Sequence, residues 1–219
     1  PSCSPSRGSI VTGRYPHSNG LVGLVPVGWD LPETEQNLPR VLGRAGYETI
    51  LCGCQHEHHD ATKLGYQRII YKEKNTAGVI TATVVELHKR AETNIPFFMA
   101  IGTIDPHRPF HPDKMEPEKD VPIPTYMPDV DEVRRNMAGF RKLVNRLDDG
   151  IGKLLDALDE TGLSENTWVI FTTDHGIDMP RAKGTLYDPG IETALIMRRP
   201  GVIKPGVVCN QLLSNVDLF

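Results

Sequence analysis

Near the start of the chain, Cys3 and Arg7 lie about one helical turn apart in the run Cys3-Ser4-Pro5-Ser6-Arg7. Pro5 suits the first position of a helix and Ser4 suits the capping position before it, so the sequence predicts a helix that begins at Pro5. Cys3 then lies at the amino terminus of that helix, where unpaired N–H groups and the helix dipole favour negative charge. Arg7 adds a fork of donors that matches a tetrahedral oxyanion. The segment therefore predicts an anion-binding pocket with a sulfur side chain at its mouth.

The cysteine alone also allows less specific interpretations. A single cysteine is most often a small, buried, apolar residue. A phosphatase that uses a cysteine thiolate needs its arginine further along the chain, at the position that Ser9 occupies here, so the sequence excludes that class. A nucleophile and a buried core residue remain as the two interpretations of Cys3.

Two predicted strands end in clusters of polar side chains. The apolar strand at 96–102 runs into Asp105-Pro106-His107-Arg108, and the strand at 167–173 is followed at once by Asp174 and His175. Loops at the carboxyl edge of an α/β sheet commonly bind ligands. A carboxylate beside an imidazole suits a divalent ion, and a simple hydrogen-bonded pair is the alternative.

A third polar cluster, Cys54, His56, His58 and His59, follows a strand predicted at 47–52. Thiol and imidazole groups suit a soft metal ion. Because a zinc site seldom has this spacing without a second cluster, and none is visible, a solvated loop is the preferred interpretation for His58 and His59.

Taken together, these segments resemble the formylglycine-dependent type I sulfatases of the alkaline-phosphatase superfamily. The run that begins at Cys3 is similar to the family signature, and the run that begins at Asp174 is similar to its metal motif. Within that family, the sequence most resembles the heparan N-sulfatase (sulfamidase) relatives. The matching segments are Cys3 to Arg7, Thr12 to Arg14, Asp105 to His111, Asp174 to Gly176 and Leu186 to Gly190. The resemblance implies an α/β fold with a mostly parallel sheet flanked by helices.

The resemblance also implies a mechanism. In this family the signature cysteine, here Cys3, is oxidised to formylglycine, and a hydroxyl of its hydrate attacks sulfur. Arg7 is expected to hold that residue. His107 is expected to protonate the leaving oxygen or nitrogen, and His56 is expected to take a proton as sulfate is expelled.

Further side chains are assigned by the same resemblance. Asp174 and His175 are expected to bind calcium. Lys183 falls where the family has a second sulfate-binding cation. The expected substrate-binding residues are Arg108, His111 and Arg181, with Arg181 as the reserve candidate for the role of Lys183.

The chain departs from the family pattern at one point in the site. The family sequence Gly-Lys-x-His corresponds here to Gly53-Cys54-Gln55-His56, so Cys54 replaces a lysine that contacts sulfate. We therefore expect the substrate to be held differently. Two alternatives stay open: a phosphonate monoester or phosphodiester hydrolase of the same superfamily, and an inactive remnant or binding protein.

The bulk composition sets the class of molecule. The chain has 219 residues, a formal net charge of −4, 39% hydrophobic residues and 24% charged residues, which is typical of a soluble globular protein. The charge gives no general attraction to nucleic acid, and no apolar run is long enough for a membrane span. The four cysteines do not form a disulfide framework for a chain of this size.

We expect residues 1–219 to be part of a sulfatase amino-terminal catalytic domain. The resemblance implies a preceding strand with two calcium-binding aspartates and a smaller carboxyl-terminal domain outside this chain, so residues 1–219 alone are expected to be inactive. It also implies a sulfated small molecule or sugar as substrate, a sulfatase-maturing enzyme as partner, and an extracytoplasmic location. Helices are predicted at 33–45, 76–91 and 131–161, the last with a break near Gly150.

Overall fold

A three-stranded parallel sheet lies at the centre of the computed structural model, which describes residues 1–219. Its strands are β1 (Glu48–Gly53), β2 (Arg68–Tyr71) and β3 (Phe97–Gly102), in the order β2-β1-β3. Every residue of β1 after Glu48 is buried, as expected of a central parallel strand that is covered on both faces. The strands predicted at 47–52 and 96–102 are confirmed, but the predicted burial holds for β1 alone, because β3 is mostly half-buried and Ile101 is exposed.

A second, antiparallel sheet consists of β4 (Val169–Thr172) and β5 (Leu195–Arg198). The two strands pair over their whole length, with Val169 opposite Arg198 and Thr172 opposite Leu195. The chain is thus an α/β structure with parallel strands and flanking helices, as predicted, but β4 and β5 pair only with each other.

Two long helices, α4 (Thr76–Ala91) and α5 (Asp131–Glu160), pack against each other. The predicted break in the second helix near Gly150 is wrong. Gly150 is buried where the helices meet, and a Cβ atom there would lie 2.9 Å from Ile80 Cγ1. The glycine therefore allows a close approach of the two helices instead of ending one of them.

The amino-terminal helix α1 (Cys3–Thr12) begins two residues earlier than predicted, with Ser2 rather than Ser4 at the capping position. Pro5 consequently lies within the first turn, where its missing N–H has no intrahelical acceptor to lose. Gly13 ends the helix with a positive φ of 62°, as predicted. The early start places Cys3 in the first helical turn.

The remaining helices are short: α2 (Pro16–Asn19), α3 (Leu38–Arg44) and α6 (Asp188–Ile191). The prediction of a helix over 33–45 is too long, because the Asn37 side chain accepts a hydrogen bond from Arg40 N–H at 3.1 Å and starts α3 there. Single 3-10 turns occupy Val25–Val27, Ala61–Leu64, Pro112–Lys114, Ser164–Asn166 and Asn215–Leu218. None of the helices combines the length and apolar character that crossing a bilayer requires.

Two glycines provide a test of this packing. Gly53 has φ +89°, and a Cβ atom there would lie 2.2 Å from Gly102 O, whereas a Cβ at Gly43 in α3 would meet nothing closer than 3.9 Å. Gly53→Ala is expected to lower the free energy of unfolding by more than about 1–2 kcal/mol, the cost of left-handed backbone for a residue with a Cβ. Gly43→Ala is expected to raise it by about 0.5–1 kcal/mol.

Urea unfolding of the two variants and the parent protein measures these changes. Equal effects of Gly53→Ala and Gly43→Ala would contradict the close contact between the ends of β1 and β3.

Candidate active site

Cys3 faces an imidazole from a residue 172 positions further along the chain. Its Sγ atom lies 3.2 Å from Nε2 of His175, which follows β4. His175 Nδ1 lies 2.7 Å from the carbonyl oxygen of Gly176. Because a carbonyl only accepts, Nδ1 carries the proton, and Nε2 is the nitrogen that exchanges a proton with the Cys3 sulfur.

The surroundings of Cys3 favour its thiolate. Burial alone would raise the pKa of the thiol, but hydrogen bonds with His175 and His56 outweigh it and lower the pKa to about 5. The same contacts act on the imidazoles: hydrogen bonds to Cys3 and Cys54 raise the pKa of His56 to about 9. Against the effect of burial, the hydrogen bond to Cys3 raises the pKa of His175. Unmodified Cys3 is therefore an activated sulfur at neutral pH.

Arg7 joins α1 to the loop after β4. Its Nε donates to Asp174 Oδ2 at 2.9 Å, and Asp174 Oδ1 lies 3.5 Å from His175 Nε2. Burial alone would lower the pKa of Arg7, but the carboxylates of Glu57 and Asp174 raise it above its ordinary value. Arg7 is thus a permanent cation next to Cys3.

The donor atoms of Cys3, Asp174 and His175 lie within 4.8 Å of one another, which is close enough to share one ion. Calcium prefers oxygen ligands, and Asp174 supplies a carboxylate. The thiol of Cys3 is a soft ligand and suits zinc better. Oxidation of Cys3 to a hydrated aldehyde would exchange sulfur for oxygen, so these residues fit part of a calcium site once Cys3 is modified.

His56 reaches the same place from the loop after β1. Its Nε2 lies 3.6 Å from Cys54 Sγ and 3.5 Å from Lys74 Nζ. The backbone N–H of His56 donates to the buried carboxylate of Glu57 at 2.7 Å. Sequence reasoning missed Lys74 and Glu57, because neither belongs to a motif and both act through contacts between distant segments.

A second group of charges gathers around Asp178. Lys183 Nζ donates to Asp178 Oδ2 at 3.2 Å, and Arg108 Nε donates to the Asp178 carbonyl at 2.6 Å. The Arg108 guanidinium also lies over the ring of Phe110, 4.5 Å from its centroid. Asp178 is a further residue that sequence reasoning missed, and it links the loop after β3 to the loop after β4.

The structure thus brings five of the predicted site residues into one cluster: Cys3, Arg7, His56, Asp174 and His175. Arg108 and Lys183 belong to the group around Asp178. His107 lies beside that group, with its Nδ1 2.7 Å from the carbonyl of Arg108. His111 and Arg181 both have positive φ, 51° and 62°, and their side chains form no hydrogen bond or ion pair. The roles of these residues in catalysis stay predictions.

The alternative of one soft metal site in the loop after β1 is wrong. Cys54 Sγ lies 3.6 Å from His56 Nε2, whereas His59 Nδ1 lies 2.6 Å from an oxygen of Asp30. His58 Nδ1 accepts a hydrogen bond from the backbone N–H of Asp60 at 2.9 Å. The four side chains therefore form two separate groups, and the donor atoms of His58, His59 and Asp30 lie within 4.8 Å of one another.

Comparisons with known proteins identify the relatives of this chain. The family model named Sulfatase matches residues 1–219. The chain is 30% identical over 253 residues to human N-sulphoglucosamine sulphohydrolase, an alignment that covers 99% of this chain and 50% of that protein. The chain thus spans about half the length of this curated relative.

Solved structures share the fold. The PsFucS1 sulfatase from Pseudoalteromonas sp. matches with a TM-score of 0.72 and 20% identity, over 100% of this chain and 56% of that one. BT4656, solved in complex with its substrate D-glucosamine-2-N,6-O-disulfate, matches with a TM-score of 0.74 and 17% identity, over 98% of this chain and 65% of that one. The predicted sulfatase-like α/β fold is confirmed.

The lowered pKa of Cys3 gives a test of the cluster. In protein whose Cys3 is unmodified by intact mass, alkylation of Cys3 by iodoacetamide is expected to be half-maximal near pH 5, because only the thiolate reacts. His175→Ala removes a hydrogen bond that favours the thiolate, so the midpoint is expected to move to higher pH. Peptide mass spectrometry follows the reaction, with Cys3→Ala as the control for the other cysteines.

A midpoint near that of a free cysteine, about 8.5, in both the parent protein and His175→Ala would contradict the contact between Cys3 and His175.

Proposed function

Because the chain belongs to the sulfatase family, we propose that it is the site-bearing part of an enzyme that hydrolyses sulfate esters or sulfamates of sugars. The observation that carries the proposal is the meeting of Cys3 with His175 at 3.2 Å and of Arg7 with Asp174 at 2.9 Å. These pairs join α1 to the loop after β4 around one buried sulfur. Human N-sulphoglucosamine sulphohydrolase, the curated relative above, supports a sulfated sugar as substrate.

Cys3 is proposed to be the precursor of formylglycine, made by a sulfatase-maturing enzyme. Formylglycine supplies a hydrated aldehyde whose hydroxyl serves as the nucleophile, and calcium supplies a Lewis acid that lowers the pKa of that hydroxyl. Asp174 and His175 are the residues of this chain that would hold the ion. The position of residue 3 in the first turn of α1 adds backbone N–H groups that favour an anion.

Arg7 is proposed to stabilise negative charge on the transferring sulfuryl group. The Asp174 carboxylate takes its Nε–H, which leaves the two Nη groups of the guanidinium as donors. A cation that is already oriented needs no rearrangement as charge develops, which is the basis of electrostatic catalysis. Lys183 is proposed as the second cation, with Arg181 in reserve.

Two imidazoles are proposed to transfer protons. The hydrogen bond with the unmodified Cys3 sulfur is the main cause that raises the pKa of His56, and conversion of Cys3 removes it. The His56 Nε2 atom is then proposed to take a proton from the side chain at position 3 during sulfate release. His107 lies in the loop after β3 and is proposed to protonate the leaving oxygen or nitrogen. Arg108 and His111, in the same loop, are proposed to contact the sugar.

The substitution of Cys54 for a family lysine favours one other candidate, a remnant that binds substrate without turnover. A parallel assay of the full-length protein on an aryl sulfate, glucosamine N-sulfate and an aryl phosphodiester separates the possibilities. Turnover of either sulfur compound supports the proposal, and turnover of the phosphodiester alone would assign a phosphorus hydrolase. Binding of glucosamine N-sulfate without turnover would assign the remnant.

Replacement of the proposed nucleophile precursor is the first direct test. Cys3→Ala in the full-length protein is expected to lower kcat on an aryl sulfate by a factor of about 10⁴ or more, as loss of a nucleophile does in other hydrolases. Cys209→Ala, at an exposed cysteine, is the matched control and is expected to leave kcat unchanged. Mass spectrometry of the parent protein is expected to show that the peptide containing residue 3 is lighter than the same peptide with an unmodified cysteine. Retained turnover by folded Cys3→Ala would refute the assignment.

Two arginines of the signature region form a second test. Arg7→Ala is expected to lower kcat/KM by about 10²–10³, the usual effect of removing one group that stabilises developing charge. Arg14 instead pairs with Glu35, with its Nη1 2.8 Å from Glu35 Oε1. Arg14→Ala is therefore expected to keep full activity. Steady-state kinetics on the aryl sulfate measure both, and equal losses would mean that the effect of Arg7 is not local to the site.

A further inference from the structure

Lys74 differs from Arg7 and Lys183 because no carboxylate neutralises it. Arg7 pairs with Asp174 at 2.9 Å, and Lys183 pairs with Asp178 at 3.2 Å. Lys74 lies within 4.0 Å of no carboxylate, and its Nζ instead lies 3.5 Å from His56 Nε2. An exposed ammonium group without a counter-ion is available to an incoming anion.

The backbone around Lys74 is fixed. Its carbonyl accepts a hydrogen bond from Ile104 N–H at 2.9 Å, and the Ile104 carbonyl in turn accepts one from His107 N–H at 2.8 Å. The next residue, Asn75, starts α4 by accepting a hydrogen bond from Gly78 N–H at 2.8 Å. Lys74 is therefore tied to the loop that carries His107 while its side chain reaches His56.

The neighbouring acidic residue does not compete for this lysine. The Glu73 carboxylate accepts hydrogen bonds from Tyr71 Oη at 3.2 Å and from Asn75 Nδ2 at 2.9 Å. These two hydrogen bonds occupy the Glu73 carboxylate, and it forms no ion pair with Lys74. The charge of Lys74 is left facing the cluster around Cys3.

An additional cation would favour anion binding in the cluster around Cys3. Asp174 and the buried Glu57 both place negative charge close to Arg7, and they oppose the approach of an anionic group. Cys54, whose Sγ lies 3.6 Å from His56 Nε2, brings no positive charge. An unpaired ammonium at this point offsets part of that repulsion.

We propose that Lys74 is a substrate-binding residue that contacts oxygens of the sulfate or sulfamate group on the His56 side of the pocket. The inference rests on the proposed function, since it takes that anion as the substrate group. Lys74 follows β2, and none of the sequence motifs assigns a sulfate contact to it.

Three variants of the full-length protein test this inference. Lys74→Met is expected to lower kcat/KM on 4-nitrophenyl sulfate and to weaken inhibition by inorganic sulfate, each by about tenfold or more, as for a lost hydrogen bond between charged groups. Lys74→Arg keeps the charge and is expected to restore most of both. Lys72→Met is the matched control, because Lys72 is exposed on the same turn and makes no contact with the site.

The outcomes separate the inference from the proposed function. Active parent protein with Lys74→Met indistinguishable from Lys72→Met would overturn the role of Lys74 and leave the proposed function intact. If protein with a converted Cys3 hydrolyses no sulfate compound, the proposed function fails. Calorimetric titration with inorganic sulfate then decides Lys74 directly: equal affinity of the parent protein and Lys74→Met overturns its role, and a tenfold loss supports it.

Discussion

The ion pair between Arg7 and Asp174 is the contact on which the site depends. It joins the helix at the start of the chain to the loop after β4, across 167 positions of sequence. Exposed ion pairs contribute little to stability, but both side chains here are largely withdrawn from water. Loss of either partner would leave the other charge buried and unpaired, which is the costly case. The pair thus holds Cys3 against His175 as well as orienting the guanidinium.

Three cations of the site, Arg7, Arg108 and Lys183, are paired with carboxylates. Asp174 neutralises Arg7, and Asp178 lies between Lys183 and Arg108. Such pairing lowers the mutual repulsion of cations that are gathered to receive an anion, and it fixes their positions in advance. It also means that an incoming sulfate competes with carboxylates already in place. Lys74 has no carboxylate partner, so an incoming sulfate does not have to displace a carboxylate from it.

The sheet explains why distant segments meet. The strands β1 and β3 run parallel and in register, so the loops that follow them leave the same edge. One loop carries His56, and the other carries His107 and Arg108. The antiparallel pair β4–β5 adds the loop with Asp174, His175 and Lys183, and α1 delivers Cys3 to the same place. The site therefore lies where loops from both sheets and one helix terminus converge.

Much of this arrangement follows from local sequence. The apolar periodicity of residues 76–91 predicts α4 with the ends it has in the structure, and the apolar runs predict β1 and β3. The residue types around Cys3 and around Asp174 indicate an anion pocket and a candidate ion site, and their resemblance to sulfatase motifs identifies the family before any contact is known. These features depend on neighbours a few positions away, and spacing along the chain is enough to read them.

The contacts of Lys74, Glu57 and Asp178 were decided only by the tertiary structure. Each acts on a partner that belongs to another segment or is reached by a backbone turn, so no spacing rule marks it. Gly150 shows the same limit, because its role as a contact point between helices depends on Ile80 in α4. Electrostatic and packing effects vary with distance in space, and the sequence alone does not state that distance.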